Sequence, residues 1–266
     1  MRLIIFGGTP GSGKTSIIKY VIEELKKDFS IHYIKFDVLA TDDDVLIKER
    51  LHISTEKRFA GDLCPDHYSA LEFPKLIDSH KNKDLLIVET AGLCLRCSPY
   101  VDKGLGIVIM NITAGKPSSY GPILTEADIV AINKGDLISQ AEREIFRIKL
   151  LEVNPKANII ETNGLTGEGS LDLAEAVKNM PHTEGRLTLK KSMPSAICGY
   201  CYGNKIIDAE PAYERYKKGS ALKSLLPNKN CGACGYKSCN EFIRAVLDGL
   251  VEKEKCHFVK WDEQSI

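Results

Sequence analysis

The sequence predicts an α/β fold with a mostly parallel sheet, followed by a small cysteine-rich domain. Three observations lead to this prediction. Short apolar runs alternate with amphipathic helical patterns over the first ~180 residues, which is typical of a parallel sheet covered on both faces. A glycine-rich loop follows the first apolar run, and six of the nine cysteines lie after residue 197. Ligands of such sheets bind at the carboxyl ends of the strands.

The strands are predicted from short apolar runs and the helices from apolar residues at helical spacing. The first helix follows the glycine-rich loop, because Ile17, Ile18, Val21, Ile22 and Leu25 share one helical face. The remaining predictions are strands at residues 2–6, 31–36, 85–88, 107–112, 129–132 and 158–161, and helices at 43–51, 142–153 and 171–180.

Composition and length bound the domain organisation. A chain of 266 residues accommodates one large domain and one small domain. We predict a nucleotide-binding domain at residues 1–180, a polar linker at 181–197 and a cysteine-rich domain at 198–266. The last segment is too small for a large core, so we expect a metal centre to stabilise it.

Charge and hydropathy argue against two classes of partner. The formal net charge is zero, so no basic field favours nucleic acid or an anionic membrane. We see no apolar run of the ~20 residues that a bilayer span needs. The first apolar run leads directly into the glycine-rich loop without a signal peptide, so we expect a cytoplasmic protein. In a reducing cytosol, clustered cysteines indicate metal or redox chemistry.

Residues 8–15, GTPGSGKT, match the P-loop pattern G-x-x-x-x-G-K-[ST] between a predicted strand and a predicted helix. The fold class is therefore a P-loop NTPase. In this motif backbone amides surround the phosphates, Lys14 reaches the β- and γ-phosphates, and Thr15 binds Mg²⁺. The candidate phosphate-binding residues are Gly8, Gly11, Ser12, Gly13, Lys14, Thr15 and Ser16.

A second motif, N-K-x-D, follows the predicted strand at 129–132 and comprises Asn133, Lys134 and Asp136. The Asp136 carboxylate can accept hydrogen bonds from N1–H and N2–H₂ of guanine, which adenine does not offer. The stem of Lys134 can lie along the face of the base. The motif therefore predicts GTP rather than ATP as the nucleotide.

Residues 1–180 resemble the nickel-chaperone GTPases, namely the urease accessory and hydrogenase maturation GTPases. Beyond the two motifs above, the resemblance depends on residues 36–44, 89–92, 115–122 and 162–169. It implies that Asp37 contacts Mg²⁺ or its waters, that Glu89 belongs to the second switch, and that Asn163 and Gly164 contact the base. The candidate catalytic residues are Lys14, Asp37 and Glu89.

One position separates the chain from a neighbouring family. Iron proteins of the nitrogenase type carry an extra lysine just after the first glycine of the P-loop, where this chain has Thr9. This departure argues against a nitrogenase-like reductase.

Two cysteine motifs in the first domain are candidate metal sites. Cys64 and His67 resemble the Cys-Pro-His and Cys-His motifs of the same family, although Asp66 is an extra residue. Two copies across a twofold axis would supply S₂N₂, which suits Ni²⁺ or Zn²⁺. Cys94 and Cys97 form a C-x-x-C that follows the second switch. For each pair the alternative is loop residues that bind no metal.

Cys198 and Cys201 form another C-x-x-C near the domain boundary. It could complete a site with Cys94 and Cys97, bind a separate zinc ion, or act as a dithiol. The sequence does not choose among these alternatives.

The last four cysteines have the spacing C-x2-C-x4-C-x16-C, and an amphipathic helix follows the third of them. Four thiolates suit a [4Fe–4S] cluster, whereas zinc sites usually use two paired arms. The segment resembles the small [4Fe–4S] domain of corrinoid iron–sulfur proteins and of a membrane electron-transport subunit. The predicted cluster ligands are Cys231, Cys234, Cys239 and Cys256.

Together these features predict a GTP-hydrolysing metallochaperone or maturation factor that carries an iron–sulfur cluster. By family resemblance the metal is nickel, the active form is a GTP-dependent homodimer, and the partner is a client metalloenzyme or its accessory proteins. The alternative is a nucleotide-gated electron donor that reduces a corrinoid or metal-cluster enzyme. A third possibility is a sensor whose GTPase activity stops when oxygen destroys the cluster.

Overall fold

The computed structural model describes residues 1–38, 42–60, 65–93, 95, 97–191 and 209–261. The chain divides into two compact units, Met1–Lys191 and Ser192–Ile266. Among the helices that the structure describes, none has the length and hydrophobicity needed to cross a bilayer.

The first unit contains a seven-stranded sheet in which every neighbouring pair is parallel. The strand order is β3-β2-β4-β1-β5-β6-β7, so the predicted parallel α/β fold is confirmed. The strands are β1 (Arg2–Gly7), β2 (Ile31–Asp37), β3 (Ser54–Phe59), β4 (Leu85–Glu89), β5 (Leu105–Asn111), β6 (Ile129–Asn133) and β7 (Asn158–Thr162).

The central strands form because their residues are apolar on both faces, as is typical of a sheet covered by helices on both sides. All of the residues of β4 and β6 are buried. The helices of the first unit are α1 (Lys14–Leu25), α2 (Asp43–Leu51), α3 (Pro65–Ser79), α4 (Pro122–Thr125), α5 (Gln140–Val153) and α6 (Ser170–Asn179).

Besides the four-residue helix α4, one strand and one longer helix of the first unit were not predicted. Strand β3 is polar and lies at the edge of the sheet, where it pairs only with β2. Helix α3 contains Pro74 and begins within the predicted metal motif, since it includes His67. Local apolar patterning is weak in both, so pairing and packing decide their structure.

The first unit extends to Lys191, and residues 181–191, which the sequence analysis placed in the linker, pack against its sheet. Thr183 donates its amide to the Met1 carbonyl at 2.9 Å and accepts a hydrogen bond from the Leu3 amide at 3.0 Å. Leu189 is buried and forms an isolated antiparallel bridge with Val101.

In the second unit the structure describes two helices, α7 (Ala209–Leu225) and α8 (Cys239–Leu247). Its core is small, as expected for so short a segment, and includes one cysteine. The buried core residues are Leu222, Leu226, Phe242, Ile243 and Cys256.

Candidate functional site

The glycine-rich loop joins the carboxyl end of β1 to the start of α1, and α1 begins at Lys14. Gly13 has φ +94°, and a Cβ at this position would lie 2.2 Å from Nδ2 of Asn133. Only glycine therefore allows the loop to turn this closely past the end of β6. The turn leaves the amino end of α1 facing the loop, where anions are favoured.

Lys14 lies in this loop as a buried cation held by neutral groups. Its Nζ donates hydrogen bonds to the Gly8 carbonyl at 2.8 Å and the Thr9 carbonyl at 3.1 Å. Burial lowers the pKa of Lys14 below its usual value. The Ser12 hydroxyl is also buried and has no hydrogen-bond partner among the described residues. A buried ammonium and an unsatisfied hydroxyl in one loop fit a phosphate ligand.

Beside Lys14, hydroxyl and carboxylate oxygens from three elements converge. The Thr15 hydroxyl lies 2.9 Å from Oε1 of Glu89 and 3.3 Å from Oδ2 of Asp43. Lys35 Nζ lies 2.5 Å from Oε1 of Glu89 and 3.0 Å from Oδ2 of Asp43. Tyr33 donates its hydroxyl proton to Oε2 of Glu89 at 2.7 Å. Oxygen ligands of this kind suit Mg²⁺, which could use Thr15 together with one or both carboxylates.

Burial by itself lowers the pKa of Lys35, but the charge of Glu89 and hydrogen bonds to Glu89 and Asp43 outweigh it. The pKa of Lys35 is therefore raised above its ordinary value. Burial and the adjacent Glu89 raise the pKa of Tyr33. Both groups consequently remain protonated at neutral pH and act as donors that fix the Glu89 carboxylate.

The family resemblance assigns residues 36–44 and 89–92 to the first and second switches, and Asp43 and Glu89 of this cluster belong to them. Asp37 ends β2, is partly exposed, and accepts a hydrogen bond from the Val38 amide at 2.8 Å. Gly92 packs against the P-loop so closely that a Cβ on it would lie 1.6 Å from the Gly8 carbonyl oxygen. A change in the P-loop therefore has a direct route to the segment that begins at Glu89.

The N-K-x-D motif follows β6 and is bonded directly to the P-loop. Asn133 donates from Nδ2 to the Ser12 carbonyl at 2.8 Å, and its Oδ1 accepts from the amide of Gly164 at 3.0 Å. Lys134 has a left-handed backbone and donates from Nζ to the Gly11 carbonyl at 3.1 Å. These contacts join the three loops predicted to contact the nucleotide.

These loops enclose a cavity of about 230 Å³, which Asp136 and Asn163 line. Nδ2 of Asn163 donates to Oδ1 of Asp136 at 3.2 Å, which orients the carboxylate. Leu137 and Leu165 also line the cavity, yet they are 63% and 84% exposed. Exposed leucines at such a cavity provide apolar surface for a flat ring.

The four C-terminal cysteines line one small cavity in the second unit, together with apolar side chains such as Leu226 and Phe242. Cys231 is exposed, Cys234 and Cys239 are partly buried, and Cys256 is buried. Four thiols around a cavity with apolar walls fit an iron–sulfur cluster.

The backbone around this cavity also favours thiolates. Cys239 is the first residue of α8, and its amide donates to Oδ1 of Asn230 at 2.9 Å. Thiolates are stabilised at helix amino ends. The Cys256 carbonyl accepts a hydrogen bond from Nε1 of Trp261 at 3.2 Å. The Trp261 indole is therefore hydrogen-bonded to the residue that supplies the fourth predicted cluster ligand.

The other candidate metal ligands are less fully described. Cys97 is buried, with 1% of its surface exposed. His67 lies in the first turn of α3, and its side chain is not among the described groups. Cys64, Cys94, Cys198 and Cys201 lie outside the described residues.

Sequence reasoning missed the residues that complete the nucleotide region. Lys35 and Tyr33 hold Glu89, Asp43 contacts Thr15, and Leu137 and Leu165 border the base cavity. One signal was available for Lys35, since a lysine within an otherwise buried strand requires a charged partner.

The site combines a strand, a glycine-rich loop that ends in a lysine, and a second loop that carries the N-K-x-D motif. This combination defines a P-loop nucleotide-binding protein. The chain belongs to the CobW/HypB/UreG family, because residues 2–161 match the family model described as "CobW/HypB/UreG, nucleotide-binding domain". Residues 226–258 match a second family, described as "Putative Fe-S cluster".

Three comparisons illustrate the relationship. An uncharacterized protein of Methanocaldococcus jannaschii is 44% identical over 210 residues, which is 76% of this chain and 89% of the relative. The urease accessory protein UreG of Yersinia enterocolitica is 30% identical and aligns with 64% of this chain and 85% of its own. The crystal structure of hydrogenase maturation factor HypB from Archaeoglobus fulgidus superposes with a TM-score of 0.56 at 26% identity, covering 67% of this chain and 89% of that chain.

Proposed function

We propose that this protein is a GTP-hydrolysing metallochaperone, or maturation factor, that supplies a metal ion to a client metalloenzyme. The observation that carries the proposal is the joined P-loop and base cavity in a chain of the CobW/HypB/UreG family. Relatives are named for urease and hydrogenase maturation. Nickel is the favoured cargo, and zinc shares its ligand chemistry.

In this proposal Lys14 exchanges the Gly8 and Thr9 carbonyls for β- and γ-phosphate oxygens, which restores an anionic partner to the buried ammonium. Thr15, Glu89 and Asp43 would hold Mg²⁺, which would neutralise charge on the phosphates. Glu89 is already held by Lys35 and Tyr33.

Because Lys35 and Tyr33 already hold Glu89, the partly exposed Asp37 is better placed to orient the attacking water. No arginine finger is evident in the sequence, and slow intrinsic turnover is expected.

A change of the bound nucleotide from GTP to GDP would be transmitted to the metal sites through the switch segments. Gly92 contacts the P-loop, and the segment after it leads to Cys94 and Cys97. We propose that GTP favours a homodimer in which Cys64 and His67 of two copies share one Ni²⁺ or Zn²⁺, and that hydrolysis releases the ion to the client.

Replacing Asp136 by asparagine should reverse the base preference. The variant loses the carboxylate that accepts from guanine N1–H and N2–H₂, and two charge-assisted hydrogen bonds correspond to about 100-fold or more in affinity. We expect binding of GTP to weaken by this factor while binding of XTP strengthens, as measured with fluorescent nucleotide analogues.

Glu168→Gln is the matched control, because Glu168 is exposed in a neighbouring loop but lines a different cavity. It removes the same charge and should leave both affinities unchanged. An Asp136→Asn variant that still prefers GTP over XTP would remove the base-recognition proposal.

Metal transfer is tested by nickel and zinc binding to the anaerobically prepared full chain with a non-hydrolysable GTP analogue or with GDP. We expect tighter binding and dimer formation with the GTP analogue, and loss of this difference in Cys64→Ser. Equal metal affinity in the two nucleotide states would contradict the metallochaperone role.

A second function, a nucleotide-gated electron donor, is favoured by one specific observation. Cys231 is exposed at the cysteine cavity, so a cluster there would lie close to solvent and to a redox partner. The residue Thr9 argues against a nitrogenase-type reductase. Reduction of the cluster at a rate that depends on GTP, with metal binding that does not, would favour the electron donor.

A further inference from the structure

Two histidines and a glutamate meet on the first unit, and none of them belongs to a motif discussed above. His32 lies near the amino end of β2, Glu56 lies in β3, and His80 follows the last residue of α3. One possible ligand atom from each residue lies within 4.8 Å of the others. At ~3.3 Å per residue, His32 lies roughly 17 Å along β2 from Asp37. Because the strands are parallel, Glu56 of β3 lies at the same end of the sheet as His32.

The hydrogen bonds of the two imidazoles leave the same nitrogen available on each ring. Nδ1 of His80 lies 2.9 Å from the Leu76 carbonyl, which can only accept, so this nitrogen carries the proton. Nδ1 of His32 lies 2.5 Å from the Ser54 hydroxyl, which can itself donate to the Ile31 carbonyl at 3.5 Å.

When Nδ1 of His32 donates to the Ser54 hydroxyl, both Nε2 atoms present lone pairs. An Nδ1–H that donates to a fixed oxygen is the arrangement found behind metal-binding histidines.

Nε2 of His32 is the unsatisfied group of this cluster. The His32 side chain is 7% exposed, and its Nε2 has no hydrogen-bond partner within the described parts of the chain. The nearest carboxylate oxygen, Oε2 of Glu56, lies 3.6 Å away, which is beyond an ordinary hydrogen bond. Buried polar atoms in folded proteins nearly always have a partner, so this nitrogen is a candidate for binding a ligand.

Glu56 is prepared to serve as the third ligand. Its Oε1 accepts from Nε of Arg58 at 2.6 Å, which leaves Oε2 facing His32. The two imidazole rings stack with centroids 3.9 Å apart and an interplanar angle of 19°, so the less buried His80 ring must tilt for both rings to bind one ion. Glu56 and His80 are only partly buried, which leaves a side open for entry of an ion.

We propose that His32, Glu56 and His80 form a binding site for a divalent transition-metal ion, with Zn²⁺ as the favoured ion. Two imidazole nitrogens and one carboxylate oxygen are a zinc ligand set, and an open fourth position would be taken by water. The site contains no cysteine and lies at the opposite end of β2 from the nucleotide loops. None of its three residues belongs to the proposed cargo sites or to the cysteine cavity.

The test compares full-chain proteins with the cluster in place, without nucleotide, titrated with ZnCl₂ under anaerobic conditions. We expect His80→Gln and Glu56→Gln each to weaken one zinc equivalent by at least about 100-fold, since even outer-shell partners of zinc ligands contribute 10–100-fold. His182→Ala removes an exposed imidazole elsewhere in the first unit and should leave all zinc equivalents unchanged.

A second measurement does not depend on variants, which could fold poorly. In ¹⁵N-labelled wild-type protein, zinc should shift the Nε2 resonances of His32 and His80 while their Nδ1 nitrogens stay protonated. Zinc binding confined to cysteines, seen as unshifted histidine nitrogens and unchanged titrations of His80→Gln and Glu56→Gln, would overturn the proposal.

Discussion

Replacing Lys35 by methionine should lower the free energy of unfolding of the first unit by about 3–5 kcal/mol, because a buried carboxylate loses its cation. The side chains of Lys35 and Glu89 are 6% and 1% exposed, and their charged atoms are 2.5 Å apart. Methionine preserves most of the volume, so the loss reports on charge rather than on a cavity. Denaturant unfolding followed by circular dichroism measures the change.

Two further variants separate this effect from general damage to the sheet. Lys57 lies opposite Lys35 in the β2–β3 register, but it is 33% exposed and pairs with Asp44 at 3.4 Å. Lys57→Met should change stability by no more than about 1 kcal/mol. Adding Glu89→Gln to Lys35→Met removes the unpaired charge and should restore most of the lost stability. Equal effects of Lys35→Met and Lys57→Met would contradict the interpretation.

The pH dependence of this stabilisation follows from the pKa of Lys35. Its folded-state pKa is raised above the usual 10.5, so the stabilisation is fully present below pH 10.5. It is lost as pH rises through the folded-state value. The difference between wild type and Lys35→Met should therefore shrink as the pH rises through that value.

The fold was predictable wherever a strand is apolar on both faces. Each of the six predicted strands is present. Five of them lie inside the sheet, where burial on both faces requires apolar runs that are visible locally, and the sixth, β7, is an edge strand whose short apolar pair, Ile159 and Ile160, was enough to predict it. Edge strand β3 escaped prediction because its sequence, STEKRF, is stabilised by pairing with β2 rather than by burial. Helix α3 was not predicted because Pro74, in its interior, is a residue that usually ends a helix.

Some residues of the candidate site could likewise be predicted from the sequence, and others could not. Short motifs with fixed spacing, such as the P-loop, identify Lys14 and Thr15 because their geometry is local. The partners of Glu89 could not be identified from its own motif, since Lys35 and Tyr33 reach it from β2, a separate element. The three-residue cluster around His32 likewise depends on residues 32, 56 and 80 meeting through the packing of β2, β3 and α3.

Replacing Cys256 by serine should abolish stable binding of the iron–sulfur cluster and also weaken the second unit without it. Cys256 lies in the small core with Phe242 and Ile243, so the serine hydroxyl would be buried among apolar groups. Burying an unpartnered hydroxyl costs about 1–3 kcal/mol. Iron content and absorbance measure the first effect, and unfolding of the cluster-free protein, followed by Trp261 fluorescence, measures the second.

Cys231→Ser distinguishes the two roles of these cysteines. Cys231 is exposed, so this variant should lose the cluster but leave the cluster-free stability unchanged. Ala233→Ser adds a hydroxyl in the same loop, keeps four thiols and should retain the cluster. Zinc in place of iron in the anaerobically purified wild type would contradict the cluster assignment. Equal cluster-free stability of Cys256→Ser and Cys231→Ser would contradict a structural role for Cys256 in the core.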